Sequence, residues 1–347
     1  MVALMAIKEN RSKSPIILAG DVGGTKCNLA LFQENGASLD LLFQRRYATK
    51  DYASLSFQAV IRDFLRHAAE SGASISSKSI TAAGFGCAGA VVNDRFHSAN
   101  LPWVLVGQEI AREMGLKSVA MLNDLEATAH SLDHLPSKDL LALNQGVAQP
   151  HAAKALLAAG TGLGEAILFW NGRQYHAAPA EGGMADFTPH TEREIELLRF
   201  LKRRMPHVCA EEVLSGRGFS AIHEFLDTSM RHSSFDLSPS EAAREITQNA
   251  VAGSCPICLE TLDLWVSAYG SEAGNLALRV LAFAGVYVAG GIAVKILPKM
   301  QDGTFLRAFC DKGNFAPILA RVPIYIVLNE DAPLWGAAYR ALASAIV

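Results

Sequence analysis

The stretch ILAGDVGGTKCNLALF, residues 17–32, decides how the chain is read. Residues 16–20 (IILAG) and 28–32 (NLALF) are apolar runs of strand length. Between and at their edges lie Gly20, Asp21, Val22, Gly23, Gly24, Thr25 and Lys26. A turn this rich in glycine lets backbone N–H groups approach an anion closely. The Thr25 hydroxyl and the Lys26 ammonium add donors beside it. Asp21 would repel a phosphate, so it reads as a carboxylate for a hydrated magnesium ion, which keeps much of its water shell. The plainer alternative is an ordinary tight turn. The pattern is neither GxxxxGK[ST] nor GxGxxG opening a helix.

Asn35–Gly36 is a hairpin dipeptide, and residues 39–49 read as a third strand, so the chain opens as an antiparallel meander. Residues 54–71 have apolar spacing near 3.6 and predict a helix ending at Gly72. Residues 80–92 predict a strand entering a glycine-rich loop. Residues 118–122 predict a short buried strand, with helix from Leu125. Strands and helices in alternation indicate an α/β fold.

Residues 155–175 (ALLAAGTGLGEAILFWNGRQY) then repeat the opening order: apolar strand, Gly160, Thr161, Gly162 and Gly164, a second strand, and an Asn171–Gly172 turn. Two such hairpins imply a duplicated β-meander/α core in two related domains. Facing each other, the two glycine turns could hold one polyphosphate. Residues 191–205, 238–253 and 258–281 predict helices; 285–297 predict a strand, a Gly290–Gly291 turn and a helix. That double glycine could pack against a base or ribose, or be a plain packing device. Residues 322–329 predict a strand before a closing helix.

The chain has 347 residues, enough for two domains. Half are hydrophobic and 19% are charged, so it can bury a sizeable core. A net charge of −3 without a long basic run makes nucleic acid and membrane poor expectations as partners. Six scattered cysteines do not make a disulfide scaffold. Cys255 and Cys258 form one CxxC without a second Cys/His pair, and read as two thiols along a helix rather than a four-ligand zinc site. Residues 1–15 are too short for a signal or span, and no apolar run reaches about 18 residues. The expectation is a cytoplasmic protein.

Asn123 and Asp124 fall at the carboxyl end of the strand at 118–122, the end where ligands gather in open α/β sheets. A carboxylate there can take a proton from an attacking hydroxyl. It can equally be part of a helix cap.

The order GDVGGT, NLPW, LNDLEA, AAGTGLG, EGG, AEEVLSG, VAGGI and a closing helix resembles the bacterial ATP-dependent glucokinase family over residues 15–347. The resemblance implies a two-domain actin-like (ribonuclease H-like) sugar kinase fold with a cleft between the domains. The small domain would be 15–134 plus 328–347, and the large one 135–327. It implies ATP and Mg²⁺, a homodimer, and ATP-dependent phosphorylation of glucose to glucose 6-phosphate. The family's phosphate motifs fall on Gly20–Thr25 and Gly160–Gly164, and its adenosine motif on Gly290 and Gly291. Its catalytic base falls on Asp124. Its hexose contacts fall on Asn100, Asn123, Asp124, Glu181, Met184 and Glu211, although Glu211 also reads as a solvated helix charge.

The chain departs from that pattern at Met184, where the family has the histidine of EGGH. A thioether is a weak acceptor and cannot donate. Many members have a proline at Ala88 or Gly89, and a threonine is usual at Ala99. The alternatives are therefore a sugar-binding or regulatory protein of the same fold, or a kinase for another hexose. The His/Cys zinc motif of the repressor-and-kinase relatives and an N-terminal helix-turn-helix are both missing from the sequence, which argues against a transcriptional regulator.

Overall fold

The opening apolar run forms β1 (Ile16–Val22), and its alternate residues feed two cores. Ile16 and Leu18 pack with Phe57, Val60, Ile61 and Phe64 of α1 (Phe57–Glu70). Ile17 and Ala19 pack with Leu334, Ala337 and Ala338 of the C-terminal helix (Ala332–Ala345). A strand covered on both faces has no polar face to show, hence the continuous apolar run of residues 16–20 before Asp21. Each fully buried large side chain contributes about 2 kcal/mol. The Ser56 hydroxyl accepts the Ala59 N–H and sets the start of α1 inside the window 54–71.

The structure is a computed structural model that describes residues 14–72, 80–98, 101–227 and 237–345. The chain divides into two compact units, Met1–Leu135 with Asp331–Val347, and Pro136–Glu330.

In the first unit β1 pairs antiparallel with β2 (Lys26–Asn35), which pairs antiparallel with β3 (Ser38–Ala48). On its other side β1 runs parallel to β4 (Ile80–Cys87). Gly89 has a positive φ of 142° just beyond β4, and residues 91–92 belong to a small three-stranded sheet of β5 (Val91–Val92), β6 (Arg95–Phe96) and β7 (Leu105–Val106). Thus the strand expected at the start of 80–92 enters a glycine turn as read, and residues 91–92 beyond it begin a second, small sheet. The helix α2 (Gly107–Met114) leads to β8 (Ser118–Asn123), parallel to β4. The sheet order is β3-β2-β1-β4-β8. The helix α3 (Asp124–Ser131) follows β8 without a loop. A Cβ at Gly84 would overlap the Ala337 carbonyl oxygen, and one at Gly336 the Ala127 carbonyl oxygen. Two glycines therefore let the C-terminal helix touch both β4 and α3, bracing the helix that begins at Asp124.

The second unit repeats that sheet. The strands β9 (Leu140–Asn144), β10 (Lys154–Ala159), β11 (Leu163–Trp170), β12 (Tyr175–Ala180), β13 (Gly285–Ala289) and β14 (Ile324–Val327) stand in the order β12-β11-β10-β13-β14-β9. Strands β10, β11 and β12 form the antiparallel meander; β10, β13 and β14 run parallel. The first five match the first unit strand for strand, and β9 adds an antiparallel edge.

Helices α4 (Glu192–Leu201), α5 (Ala210–Val213), α6 (Gly216–Leu226), α7 (Pro239–Val251) and the 25-residue α8 (Pro256–Val280) follow the meander. Trp265 and Tyr269 of α8 are fully buried, and Trp265 stacks on Phe219 with ring centroids 4.7 Å apart. Cys255 caps α8, its Sγ accepting the Cys258 N–H at 3.3 Å, so the CxxC forms the first turn of a helix. After Gly290 the short α9 (Gly291–Lys295) breaks at Ile296, and a new helix begins at Leu297 with Pro298 in its first turn. Among the described residues no helix is long and apolar enough to cross a membrane.

Candidate active site

In the first unit three parallel strands end together: Val22 lies beside Cys87, and Cys87 beside Asn123. The glycine turn after β1, the Ala88–Gly89 turn after β4, and Asn123–Asp124 after β8 therefore share one edge of the sheet. The Ala88 N–H donates to the Val22 carbonyl at 3.2 Å, tying two of these turns together. Proline at Ala88 would lose that bond, and proline at Gly89 cannot reach a φ of 142°. The local backbone thus accounts for the two non-proline residues.

The first glycine turn is held from outside. Gly23 N–H donates to the Lys26 carbonyl at 2.9 Å, and the Thr49 hydroxyl donates to the Gly23 carbonyl at 2.8 Å. Gly24, Thr25 and Lys26 are exposed, as an anion cradle requires. Gly20 and Val22 do something else. Gly20 sits within β1, where a Cβ would come within 2.7 Å of the Phe85 ring and 2.8 Å of Leu29, and Val22 is buried in the core. Their side-chain positions belong to packing, leaving only their backbone to the turn.

Asp21 pairs across the ladder with Asn28, and Asn28 with Arg46. Burial pushes the Asp21 carboxyl above its usual range; Lys26 opposes this, Asp331 adds to it, and Arg46 opposes it. Asp331 is held by Asn28 Nδ2 and Gln44 Nε2, each at 3.0 Å, with Arg46 at 3.8 Å. Sequence reading missed Asp331, which lies 303 positions from Asn28.

Asn123 is the N-cap of α3, its side-chain oxygen accepting the Glu126 N–H. Asp124 is the first helical residue, half-buried, with Oδ1 accepting the Leu125 N–H at 3.0 Å. The cap and the candidate base are therefore different residues. Asn100 lies outside the described residues, as does Ala99.

In the second unit β10 and β13 run parallel with Ala158 beside Ala289, so the turn Gly160–Gly164 and the pair Gly290–Gly291 also share one sheet edge. Gly160 N–H donates to the Gly162 carbonyl, and Gly216 N–H to the Gly160 carbonyl, both at 2.8 Å. Thr161 is exposed. Gly164 is already in β11, opposite Ala158. Gly290 has a φ of 89°, and a Cβ there would come within 2.5 Å of the Ala159 carbonyl oxygen; the Gly291 Cβ position is open.

Glu211 is not a solvated helix charge. Its Oε2 accepts the Leu163 N–H at 3.0 Å and its Oε1 accepts from Arg217 at 2.6 Å. A Cβ at Gly162 would overlap that carboxylate. Glu181 is exposed, and Met184 is 52% exposed, at the two ends of a tight turn closed by the Met184 N–H on the Glu181 carbonyl at 3.0 Å. Beneath this turn lies Glu165 of β11, which sequence reading passed over. It is 2% exposed, and burial pushes its carboxyl up to about 7, with Glu272 adding and Arg279 opposing.

A family profile described as Glucokinase matches residues 18–344. The chain belongs to the glucokinase family. The glucokinase of Nostoc sp. strain PCC 7120 is 37% identical to it over 342 residues, covering 93% of this chain and 98% of that protein. The glucokinase of Synechocystis sp. strain PCC 6803 is 34% identical over 352 residues, covering 94% and 98%. Among solved structures, glucokinase from an Antarctic psychrotroph superposes with a TM-score of 0.82 at 25% identity, over 94% of this chain and 99% of that one. The fold of this glucokinase-family chain is thus the two-domain α/β fold of actin-like sugar kinases, with the meander duplicated as above.

Proposed function

We propose that this member of the glucokinase family transfers the γ-phosphoryl group of ATP to the 6-hydroxyl of glucose, with Asp124 as general base. Family membership supports the reaction. The observation that carries the catalytic role is the edge shared by Asp124 and the glycine turn with its exposed residues Gly24, Thr25 and Lys26. Phosphoryl transfer proceeds through a loose transition state, so catalysis consists mainly of positioning and charge neutralisation. Asp124 accepts the hydroxyl proton as the oxygen attacks; such general-base help is worth about 10²–10⁴-fold.

The phosphates of ATP are assigned to the backbone of Gly20, Asp21, Val22, Gly23 and Gly24 with Thr25 and Lys26, and to Gly160, Thr161, Gly162 and Gly164; the adenosine is assigned to Gly290 and Gly291. Glucose is assigned to Asn100, Asn123, Asp124, Glu181, Met184 and Glu211. Asp21 suits a hydrated Mg²⁺: it is a largely buried oxygen ligand whose charge Lys26 and Arg46 oppose only in part. A bound Mg²⁺ would neutralise charge on the transferring phosphoryl group. Homodimer assembly, a cytoplasmic setting and a place in glucose breakdown belong to the same proposal, on the family resemblance.

The test is ATP-dependent phosphorylation of glucose, mannose, 2-deoxyglucose, glucosamine and fructose, with Asp124→Asn in parallel. Turnover led by glucose and lost in Asp124→Asn supports the proposal. Binding of glucose without turnover on any sugar overturns it in favour of a sensor. A preference for mannose or 2-deoxyglucose overturns the substrate and places the change near Met184.

A further inference from the structure

Glu165 is a charged residue type in an otherwise apolar strand, paired with Leu157 on one side and Ala180 on the other. Its carboxyl lies against the α-carbon of Gly182: a Cβ there would overlap Oε2. Only glycine at this position lets the chain turn so closely over the acid. The next residue is equally confined, since a Cβ at Gly183 would overlap the Leu163 carbonyl oxygen. The turn from Glu181 to Met184 therefore rests on β11, with the Glu165 carboxyl as part of its floor.

The chemistry of that floor is unusual. Glu165 Oε1 is buried and has no hydrogen-bond partner among the described residues. An ionised oxygen so placed carries a large desolvation cost. The groups facing it do not relieve it. From α8, Glu272 adds negative charge, but that carboxylate is itself held by Arg279 at 2.8 Å and Asn275 at 3.0 Å. The Arg279 guanidinium is thus committed to Glu272 and opposes the Glu165 shift only as the smaller influence. Tyr269, also on α8, gives its hydroxyl to the Leu157 carbonyl at 3.5 Å. Glu181 heads the turn above, and Glu211 from α5 is occupied by Leu163 N–H and Arg217. Burial, with Glu272 adding, raises the Glu165 carboxyl to about 7.

We propose that Glu165 is a positioning residue of the acceptor site, its carboxyl packed beneath Gly182 fixing the turn that presents Glu181 and Met184 to the sugar. The inference rests on the acceptor role proposed for Glu181. In the neutral form the floor is uncharged and the turn lies flat on it. Loss of the proton places a bare carboxylate against Gly182, beside Glu272 and below Glu181, and the turn shifts to admit water or to distance the charges. The sugar then binds less well, while the ATP turns, built on other glycines, are unaffected.

The test is steady-state kinetics from pH 6 to 8.5, varying glucose and ATP separately, on the unmodified protein, Glu165→Gln and Glu165→Leu. Neither replacement titrates, and the leucine variant serves if a buried amide prevents folding. The unmodified protein is expected to show a KM for glucose that rises about two- to tenfold through pH 7, the loss of about one hydrogen bond's worth of binding, with the KM for ATP flat. Both variants are expected to abolish that rise. A second readout is Gly182→Ala: the added methyl raises the KM for glucose, and Glu165→Ala in the same chain restores it, a coupling that unrelated sites do not show. A KM for glucose indifferent to pH, or a rise that persists in Glu165→Gln and Glu165→Leu, overturns the inference while leaving the kinase intact. Absence of glucose phosphorylation in the unmodified protein at any pH overturns the function reading, and this inference with it.

Discussion

Asn123 accepts the amide hydrogen of Glu126, so the helix that begins with Asp124 is capped by the residue before it. The two roles are separable by substitution. Asn123→Ala is expected to lower stability by about 1 kcal/mol in urea unfolding, the usual cost of a lost cap. Asp124→Asn leaves that cap in place and is expected to unfold within about 0.5 kcal/mol of the unmodified chain, while turnover falls about 10²–10⁴-fold. Full turnover in Asp124→Asn would remove the base from the mechanism.

Glu165 makes stability depend on pH in a defined window. Its ordinary value is 4.5, and burial raises it to about 7 in the folded chain. Between those values the folded state holds a proton that the unfolded state has released. The contribution of Glu165 to stability is then fully present below pH 4.5, falls as pH rises, and is lost above about 7. The full contribution is about 3 kcal/mol. Urea unfolding at pH 5 and pH 7.5 should show this slope in the unmodified chain and a shallower one in Glu165→Gln. Equal slopes would mean that the carboxyl ionises normally.

Gly290 combines a positive φ with contact against the Ala159 carbonyl oxygen, at the mouth of the second glycine turn. Gly290→Ala carries a backbone cost of about 1–3 kcal/mol. The expected result is a KM for ATP raised severalfold, with the KM for glucose little changed. Gly291→Ala, whose Cβ position is open, serves as the comparison. A change in glucose affinity alone would move Gly290 out of the adenosine site.

Met184 is 52% exposed beside Glu181, so a polar imidazole of similar size can be placed there without burial. Met184→His restores a donor and is expected to lower the KM for glucose by about two- to tenfold, the worth of one hydrogen bond. An unchanged KM across all five sugars would mean that this position does not contact the acceptor.

The meander and its repeat were legible because both depend on local patterns. Strands such as β1, covered on both faces, are mostly apolar, and the Asn35–Gly36 and Asn171–Gly172 turns mark where the meanders reverse. The division between cap and candidate base was not legible, since Asn and Asp both cap helices and only coordinates show which one does so. Asp331 was hidden because its partners, Asn28 and Gln44, are brought to it by the return of the C-terminal helix. Glu165 left one signal, a carboxylate at an inward position of a strand. Its meaning depends on Gly182, which the fold places above it. The edge strand β9 has no counterpart in the opening repeat, so internal symmetry could not suggest it.

The C-terminal helix covers the sheet face formed by Ile17, Ala19, Ala30 and Phe32. These four residues leave the ribosome before their cover, which follows only after the whole of Pro136–Glu330. At roughly 5–20 residues per second, about 15–60 s separates the two events. The contiguous second unit can complete its core within the growing polypeptide, whereas the first must wait with one apolar face bare until the helix Ala332–Ala345 emerges. Order of synthesis and order of folding therefore run in opposite directions, and the nascent first unit is the part of this polypeptide that a chaperone would have to shield.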